Sequence, residues 1–265
     1  MNDQPAIDTS VAHPARVYDY LLGGKNNYAA DRRVGDRTVA LLPGLVAGVR
    51  ANREFVLQAV RYAVQEHGID QVVDLGAGVP TAPAVHEVAR ATDPAVRVAY
   101  VDNDPIVVCH DRALLGKASN VVVIAGDLTN PSSVLDDMEI GRMIDWRRPV
   151  ALIAAAVLHF IPDDQEVHDI LSAFRSQLAP GSVLIVSMAT SEGRTPAQVE
   201  EIEARYATNL PFRLRSAAQM ADFLDGLELV EPGIVDVVDW RPHAGAVRQG
   251  EGMALAAVAR VPDLD

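Results

Sequence analysis

Three aspartates stand where short apolar runs end: Asp74 within Gln71 to Leu75, Asp102 after Val96 to Val101, and Asp127 after Asn120 to Ala125. If those runs are parallel strands, their carboxylates meet in the crevice beyond the strands' carboxyl ends, where open α/β sheets bind ligands. The first run continues into Gly76-Ala77-Gly78-Val79-Pro80-Thr81, a strand-to-helix turn whose glycines let a ligand approach the backbone. A merely tight turn would use the same glycines, so the carboxylates carry the argument. Asp102 is placed to accept hydrogen bonds from both hydroxyls of a ribose. Asp74 stands just before the glycines and Pro80 replaces a third glycine, which disfavours a nicotinamide dinucleotide. A carboxylate there repels a pyrophosphate, yet it suits the ammonium group of an amino acid. The chemistry indicated is that of a nucleoside joined to a cationic amino acid.

The elements that must position these groups are legible as a change of texture. From His13 to about Gly68 the pattern is helical, with Val46, Val49, Arg53, Val56, Val60 and Ala63 recurring at spacings of three and four and Gly68 as a stop. Beyond Ile69, apolar runs at 71–75, 96–101, 120–125, 150–158 and 182–188 alternate with helical stretches, as in a parallel doubly wound sheet. Three of those helices carry start signals: Asp163 with Glu166, Thr195-Pro196 with Gln198, and Ser216 with Gln219. Leu227 to Trp240 and Met253 to Val261 complete a seven-stranded count as a closing antiparallel hairpin. The expected organisation is a flexible tail over 1–12, an N-terminal helical cap over 13–70, and a Rossmann-like α/β domain over 71–265.

Composition narrows the class of function. The 265 residues are 49% hydrophobic and carry a net charge of −13, a field that repels nucleic acid. Residues 1–70 hold as many basic as acidic side chains, so that charge lies downstream of them. Cys109 is the single cysteine, which excludes an intramolecular disulfide and reads as a small buried residue in a reducing, cytoplasmic setting. No apolar run reaches the length of a membrane span. No metal site is indicated: His86-Glu87 lacks a second histidine and His168-Asp169 is isolated.

Asp74-Leu75-Gly76-Ala77-Gly78, Asp102, Gly126-Asp127-Leu128 and Ala154-Ala155-Ala156-Val157-Leu158-His159-Phe160 arrive in an order that resembles the class I S-adenosylmethionine-dependent methyltransferases. The segments 16–28 and 50–53, with Val101-Asp102-Asn103-Asp104-Pro105, resemble a methyltransferase family designated a domain of unknown function, over nearly the whole chain. That resemblance implies S-adenosylmethionine as cofactor and leaves the acceptor open. It places the aminoacyl end of the cofactor at Asp74, Gly76, Ala77 and Gly78. The ribose falls at Asp102 and Asn103, the adenine at Gly126, Asp127 and Leu128, and the strand-4 wall at Ala154 and Ala155. Arg53, on the helix before the first strand, is the cation suited to the cofactor carboxylate, with Asn52 beside it. His159 is the candidate general base for an oxygen or nitrogen nucleophile, or a structural residue of its motif. Tyr18, Tyr20, Lys25, Asn27 and Tyr28 crowd around Gly23-Gly24, either closing over a pocket or docking the cap. The stretch from Thr190 to Leu214, with Arg194, Arg205, Arg213 and Arg215, is the other wall of the cleft or a solvated helix. A small, neutral or cationic methyl acceptor is expected; a protein that binds the cofactor without turnover would carry the same motifs.

Overall fold

The structure, a computed structural model, describes residues 8–115, 118–207, 210–242, 249–250 and 252–263. Three helices come first: α1 (Pro14–Leu21), α2 (Ala29–Leu41) and α3 (Leu45–His67). Strands and helices then alternate through β1 (Gln71–Leu75), α4 (Val85–Thr92), β2 (Arg97–Asp102), α5 (Pro105–Leu115) and β3 (Val121–Ala125). The short α6 (Ser132–Leu135) and α7 (Met138–Met143) lead to β4 (Ala151–Ala155), α8 (Asp164–Arg175), β5 (Val183–Ala189), α9 (Pro196–Ala207) and α10 (Ala217–Phe223). Two-residue strands β6 (Glu228–Leu229) and β7 (Val235–Asp236) precede β8 (Ala254–Arg260).

The sheet runs β3-β2-β1-β4-β5-β8-β6, with β7 also on β8. The first five strands are parallel and β8 is antiparallel to β5. Because both faces are covered, the parallel strands are mostly apolar and their alternate residues enter two cores. Val72, Tyr100 and Ile153 pack beneath α3, α4 and α5, while Val73, Val101 and Leu152 pack against α7, α8 and α10. Chain order reverses between β1 and its neighbours β2 and β4, which opens a crevice at their carboxyl ends. The three helix start signals are all used: Asp163 accepts from the amides of Gln165 and Glu166, and Thr195 with Gln198 and Ser216 with Gln219 form reciprocal caps.

Three expectations need correction. The fourth strand ends at Ala155 rather than 158, because Ala156 turns out of it at φ 55° and Leu158–Phe160 form a single 3-10 turn. Leu227 to Trp240 is not one strand: Pro232 has no N–H to give the ladder and Gly233 takes φ 86°, so β6 and β7 pair separately with β8. The link before β8 includes 243–248 and 251, which lie outside the described residues, as do 1–7 of the expected tail. Cys109 is exposed on α5, not buried.

α3 spans two environments. Its second half, from Phe55 to Val64, is part of the core under the sheet, and Gly68 ends it in the left-handed conformation at φ 62°. Its first half presents Leu45, Val49, Asn52 and Arg53 to the crevice, and Val56 at the junction lines it too.

Candidate functional site

A cavity of about 200 Å³ fills the crevice. Its floor is the end of β1 with the glycine turn, one side is the end of β4 with its turn, and α1, α3 and the segment after α9 close it. Arg53, Asp74, Gly76, Ala77, Gly78, Asp102, Ala155 and His159 all line it, so eight of the residues singled out from sequence face one space.

Gly76 and Gly78 both need positive φ, 68° and 67°, but their surroundings differ. A Cβ on Gly76 would run into the side chain of Val157, whereas one on Gly78 would meet nothing within 4 Å. Gly78 thus leaves open cavity where a ligand can lie against the backbone. Its amide donates to Asp102 Oδ2 at 2.9 Å, and Asp102 Oδ1 accepts from the Asp104 amide at 2.9 Å, so one buried carboxylate ties the glycine turn to the end of β2. Asp74 is buried and makes no hydrogen bond among the described residues. Burial pushes its carboxyl up to about 7, with Asp102 adding to the rise and Arg53 opposing it. A carboxylate that faces a cavity without a donor fits a cationic ligand group. Arg53 forms no ion pair among the described residues; its Nη2 donates to the carbonyls of Thr81 and Pro83 at 2.9 and 2.7 Å, and its buried Nε has no partner. The loop after β1 therefore holds the guanidinium at the cavity wall, where no carboxylate neutralises it.

His159 is buried in the turn after β4, where its Nδ1 accepts the Ala189 amide at 3.2 Å. The neutral ring therefore carries its proton on Nε2. Burial, with the charge of Arg215 behind it, pulls its pKa down to about 3. Arg215 is wholly buried and donates to Asp164, to the Leu158 carbonyl at 2.9 Å and to the Ile161 carbonyl at 2.6 Å, clamping that turn from beneath. Opposite, a hydrogen-bonded chain crosses the wall. Asn52 Nδ2 donates to Tyr18 Oη at 3.0 Å, Tyr18 Oη donates to the Val49 carbonyl at 3.1 Å, and Ser187 Oγ donates to Asn52 Oδ1 at 2.5 Å. The Ala156 amide donates in turn to Ser187 Oγ at 3.0 Å, so helix α1 is tied through α3 to the strand-4 turn.

The remaining sequence candidates lie elsewhere. Asn103 is exposed, and Asp127 closes a turn by accepting from the amide and hydroxyl of Thr129 at 2.9 and 2.8 Å. A Cβ on Gly126 would press on Val134 and Val101, so packing against α6 already requires a glycine there. Leu128 packs against the α7–α8 core, and Ala154 is buried in that core, facing away from the cavity that Ala155 lines. Of the polar and aromatic residues singled out around Gly23-Gly24, Tyr18 lines the cavity, whereas Tyr20 donates to Asp36, Asn27 donates to Asp19, and Tyr28 lies against Arg16. The stretch after β5 does form a wall, through Arg194, Tyr206, Leu210, Phe212 and Leu214. Sequence reasoning missed Ser187, whose signal is a lone hydroxyl at the carboxyl end of an apolar strand. It also missed the buried ion cluster in which Arg16 Nε lies 3.2 Å from Asp104 and 3.6 Å from Asp31, because no local pattern links residues so far apart in the chain.

The comparisons with known proteins agree with one another. A candidate methyltransferase from Thermobifida fusca is 36% identical, with a TM-score of 0.92 over 99% of this chain and 100% of that one. A DUF574 family protein from Streptomyces avermitilis is 41% identical, with a TM-score of 0.91 over 97% of this chain and 100% of that one. The fold alone is shared with human N-acetylserotonin methyltransferase, solved with S-adenosylmethionine, at 15% identity and a TM-score of 0.50 over 96% of this chain and 64% of that one. No curated protein matches. The model describing the S-adenosyl methyltransferases matches residues 1–262, so the chain belongs to that family, a methyltransferase whose methyl donor is S-adenosylmethionine.

Proposed function

We propose that the protein transfers the methyl group to an oxygen or nitrogen of a small molecule enclosed in the cavity. The observation that carries the reading is Asp74: a buried carboxylate without a hydrogen bond, beside a glycine whose missing side chain leaves the cavity open. In its ionised form it accepts from the ammonium of the donor's amino acid end, and the guanidinium of Arg53, which lines the same cavity and forms no ion pair among the described residues, serves the carboxylate of that same end. Asp102 serves the ribose while holding the Gly78 amide. Asp127 is assigned to the adenine amino group with the Leu128 amide beside it, and Asn103 flanks them.

S-adenosylmethionine supplies a methyl group on a cationic sulfur, and its transfer leaves a neutral thioether, a new carbon–heteroatom bond and the acceptor's proton to be released. For such an in-line displacement the protein's task is placement and exclusion of water. Val17, Tyr18 and Leu21 of α1 cover the cavity, and the Tyr18–Asn52–Ser187 chain fixes that cover against the sheet. His159 acts here as a hydrogen-bond donor from Nε2 that orients the acceptor atom. The general base expected from sequence does not suit it, since Nδ1 is occupied by the Ala189 amide. A nucleophile that needs no dedicated base, a neutral amine or an acidic hydroxyl such as a phenol, fits that arrangement.

Titration calorimetry with S-adenosylmethionine and S-adenosylhomocysteine tests the reading. Binding of both at micromolar concentration is expected, and Asp102→Ala should weaken it by about 1–3 kcal/mol. No heat with either ligand would sink the proposal.

A further inference from the structure

The cavity continues past His159 into a part that a methyl donor held by Asp74 and Asp102 does not account for. Its wall there is apolar and aromatic, made by Leu42, Leu45, Phe160, Tyr206, Phe212 and Met253. Tyr206 and Phe212 stack at 4.0 Å and 15°, and Phe212 meets His159 edge-on at 5.2 Å and 68°. In a chain with only 5% aromatic residues this is a concentration of rings, and rings flanking a cavity favour a flat guest.

One cation interrupts that wall. Arg194 lines both this cavity and a more open cleft of about 660 Å³ that it shares with Phe212 and Leu214. Its Nη1 donates to the carbonyls of Thr190 at 2.9 Å and Glu192 at 3.3 Å, which fixes the guanidinium. Nε and Nη2 donate to no protein group among the described residues, and no carboxylate pairs with them. Of the acidic residues around it, Glu192 accepts the Ala217 amide and Glu203 the Leu214 amide, each at 2.8 Å, and Glu200, which lines the same cleft, forms no ion pair with it. Burial lowers the pKa of Arg194. A half-buried guanidinium held by one nitrogen, with two parallel donors unused beside an apolar chamber, matches the fork of a carboxylate.

We propose that the methyl acceptor is an aromatic carboxylic acid that also bears a hydroxyl or amino group, its ring seated among Phe160, Tyr206 and Phe212 and its carboxylate held by Arg194, so that the hydroxyl oxygen or amine nitrogen bonds to the methyl group as the sulfur–methyl bond breaks and then gives up its proton to solvent. The proposal rests on the small-molecule methyl-transfer reading and names the substrate class for that same site. It departs from the neutral or cationic acceptor that the net charge of −13 suggests, because one unpaired cation inside a cavity outweighs a screened surface charge.

The test is calorimetric titration of naphthoate and of its uncharged isostere naphthamide, each with and without saturating S-adenosylhomocysteine. Naphthoate should bind about tenfold or more tightly than naphthamide. Arg194→Gln should bring the two to parity, and Arg194→Lys should restore part of the difference. Both variants should keep the wild-type affinity for S-adenosylhomocysteine. Equal binding of the two probes to the wild-type protein, binding of neither at millimolar concentration, or a preference that survives Arg194→Gln would overturn the proposal. Failure of S-adenosylhomocysteine to bind would instead count against the methyl-transfer reading of the site, and the two probes on the ligand-free protein would still decide the role of Arg194.

Discussion

Asp74 ties the geometry to a measurable titration. Its carboxyl is held at about 7 in the ligand-free protein, chiefly by burial. If only the ionised form receives the ligand ammonium, roughly nine-tenths of the protein is competent at about pH 8 and roughly one-tenth at about pH 6. The affinity for S-adenosylhomocysteine should therefore fall about tenfold between those values, with tight binding at the alkaline end. Asp74→Asn removes the titrating charge. It should weaken binding about tenfold to a hundredfold at about pH 8, the worth of one charge-assisted hydrogen bond, and should flatten the profile. Stability of the ligand-free protein has the opposite sign. A carboxyl raised above its unfolded value near 3.8 makes the folded state bind more protons, so stability falls as pH rises from about 4 to 7. Asp111, which burial together with Asp102 and Asp74 pushes up to about 8, adds to that fall, so Asp74→Asn should reduce it rather than abolish it. Calorimetry across the pH range, with melting temperatures of the ligand-free protein, reads both effects. A dissociation constant independent of pH in the wild type, or an unchanged slope in Asp74→Asn, would refute the assignment.

Other consequences follow from neighbouring residues. Gly78→Ala should lose only about 1 kcal/mol of stability, since its Cβ meets open space and only the positive φ is strained, yet it should weaken S-adenosylhomocysteine binding at least tenfold. Gly76→Ala should lower the melting temperature more, through its clash with Val157. Arg16→Ala leaves the carboxylates of Asp31 and Asp104 buried without their cation, and chemical denaturation should register a loss of about 3–5 kcal/mol. The His159 imidazole, with its pKa at about 3, should stay neutral in a nuclear magnetic resonance titration from about pH 8 to 5. A transition near 6.5 would restore it as a general base.

What the sequence made legible was what local chemistry determines. The first five strands fall within a few residues of their expected bounds, because buried parallel strands are continuous apolar runs and their ends carry glycine or aspartate. The glycine turn, Asp74 and Asp102 converge because they sit at fixed places in a repeating strand–helix unit. Arg53 was legible too, as a charge standing in the apolar stripe of a long helix. Less accessible was anything that depends on distant segments meeting. Arg215 reads as one more arginine on a solvated stretch, yet it is buried under the strand-4 turn. The proton of His159 is placed by the Ala189 amide of the neighbouring strand, which no spacing around His159 reveals. Ala154 and Ala155 look equivalent in a run of alanines, and only the pleat sends one into the core and the other to the cavity. The long final strand failed because Pro232-Gly233 breaks a run that is otherwise suitably apolar.

The central claim is that the cavity over β1, β2 and β4 holds the methyl donor with its amino acid end at Asp74. A crystal structure of the protein with S-adenosylhomocysteine tests this most directly. The account predicts the ligand's ammonium within hydrogen-bond distance of Asp74, its ribose hydroxyls on Asp102, and its sulfur facing the chamber bounded by His159 and Phe212. A ligand lodged outside this cavity, or one whose amino acid end lies away from Asp74 and Arg53, would contradict it.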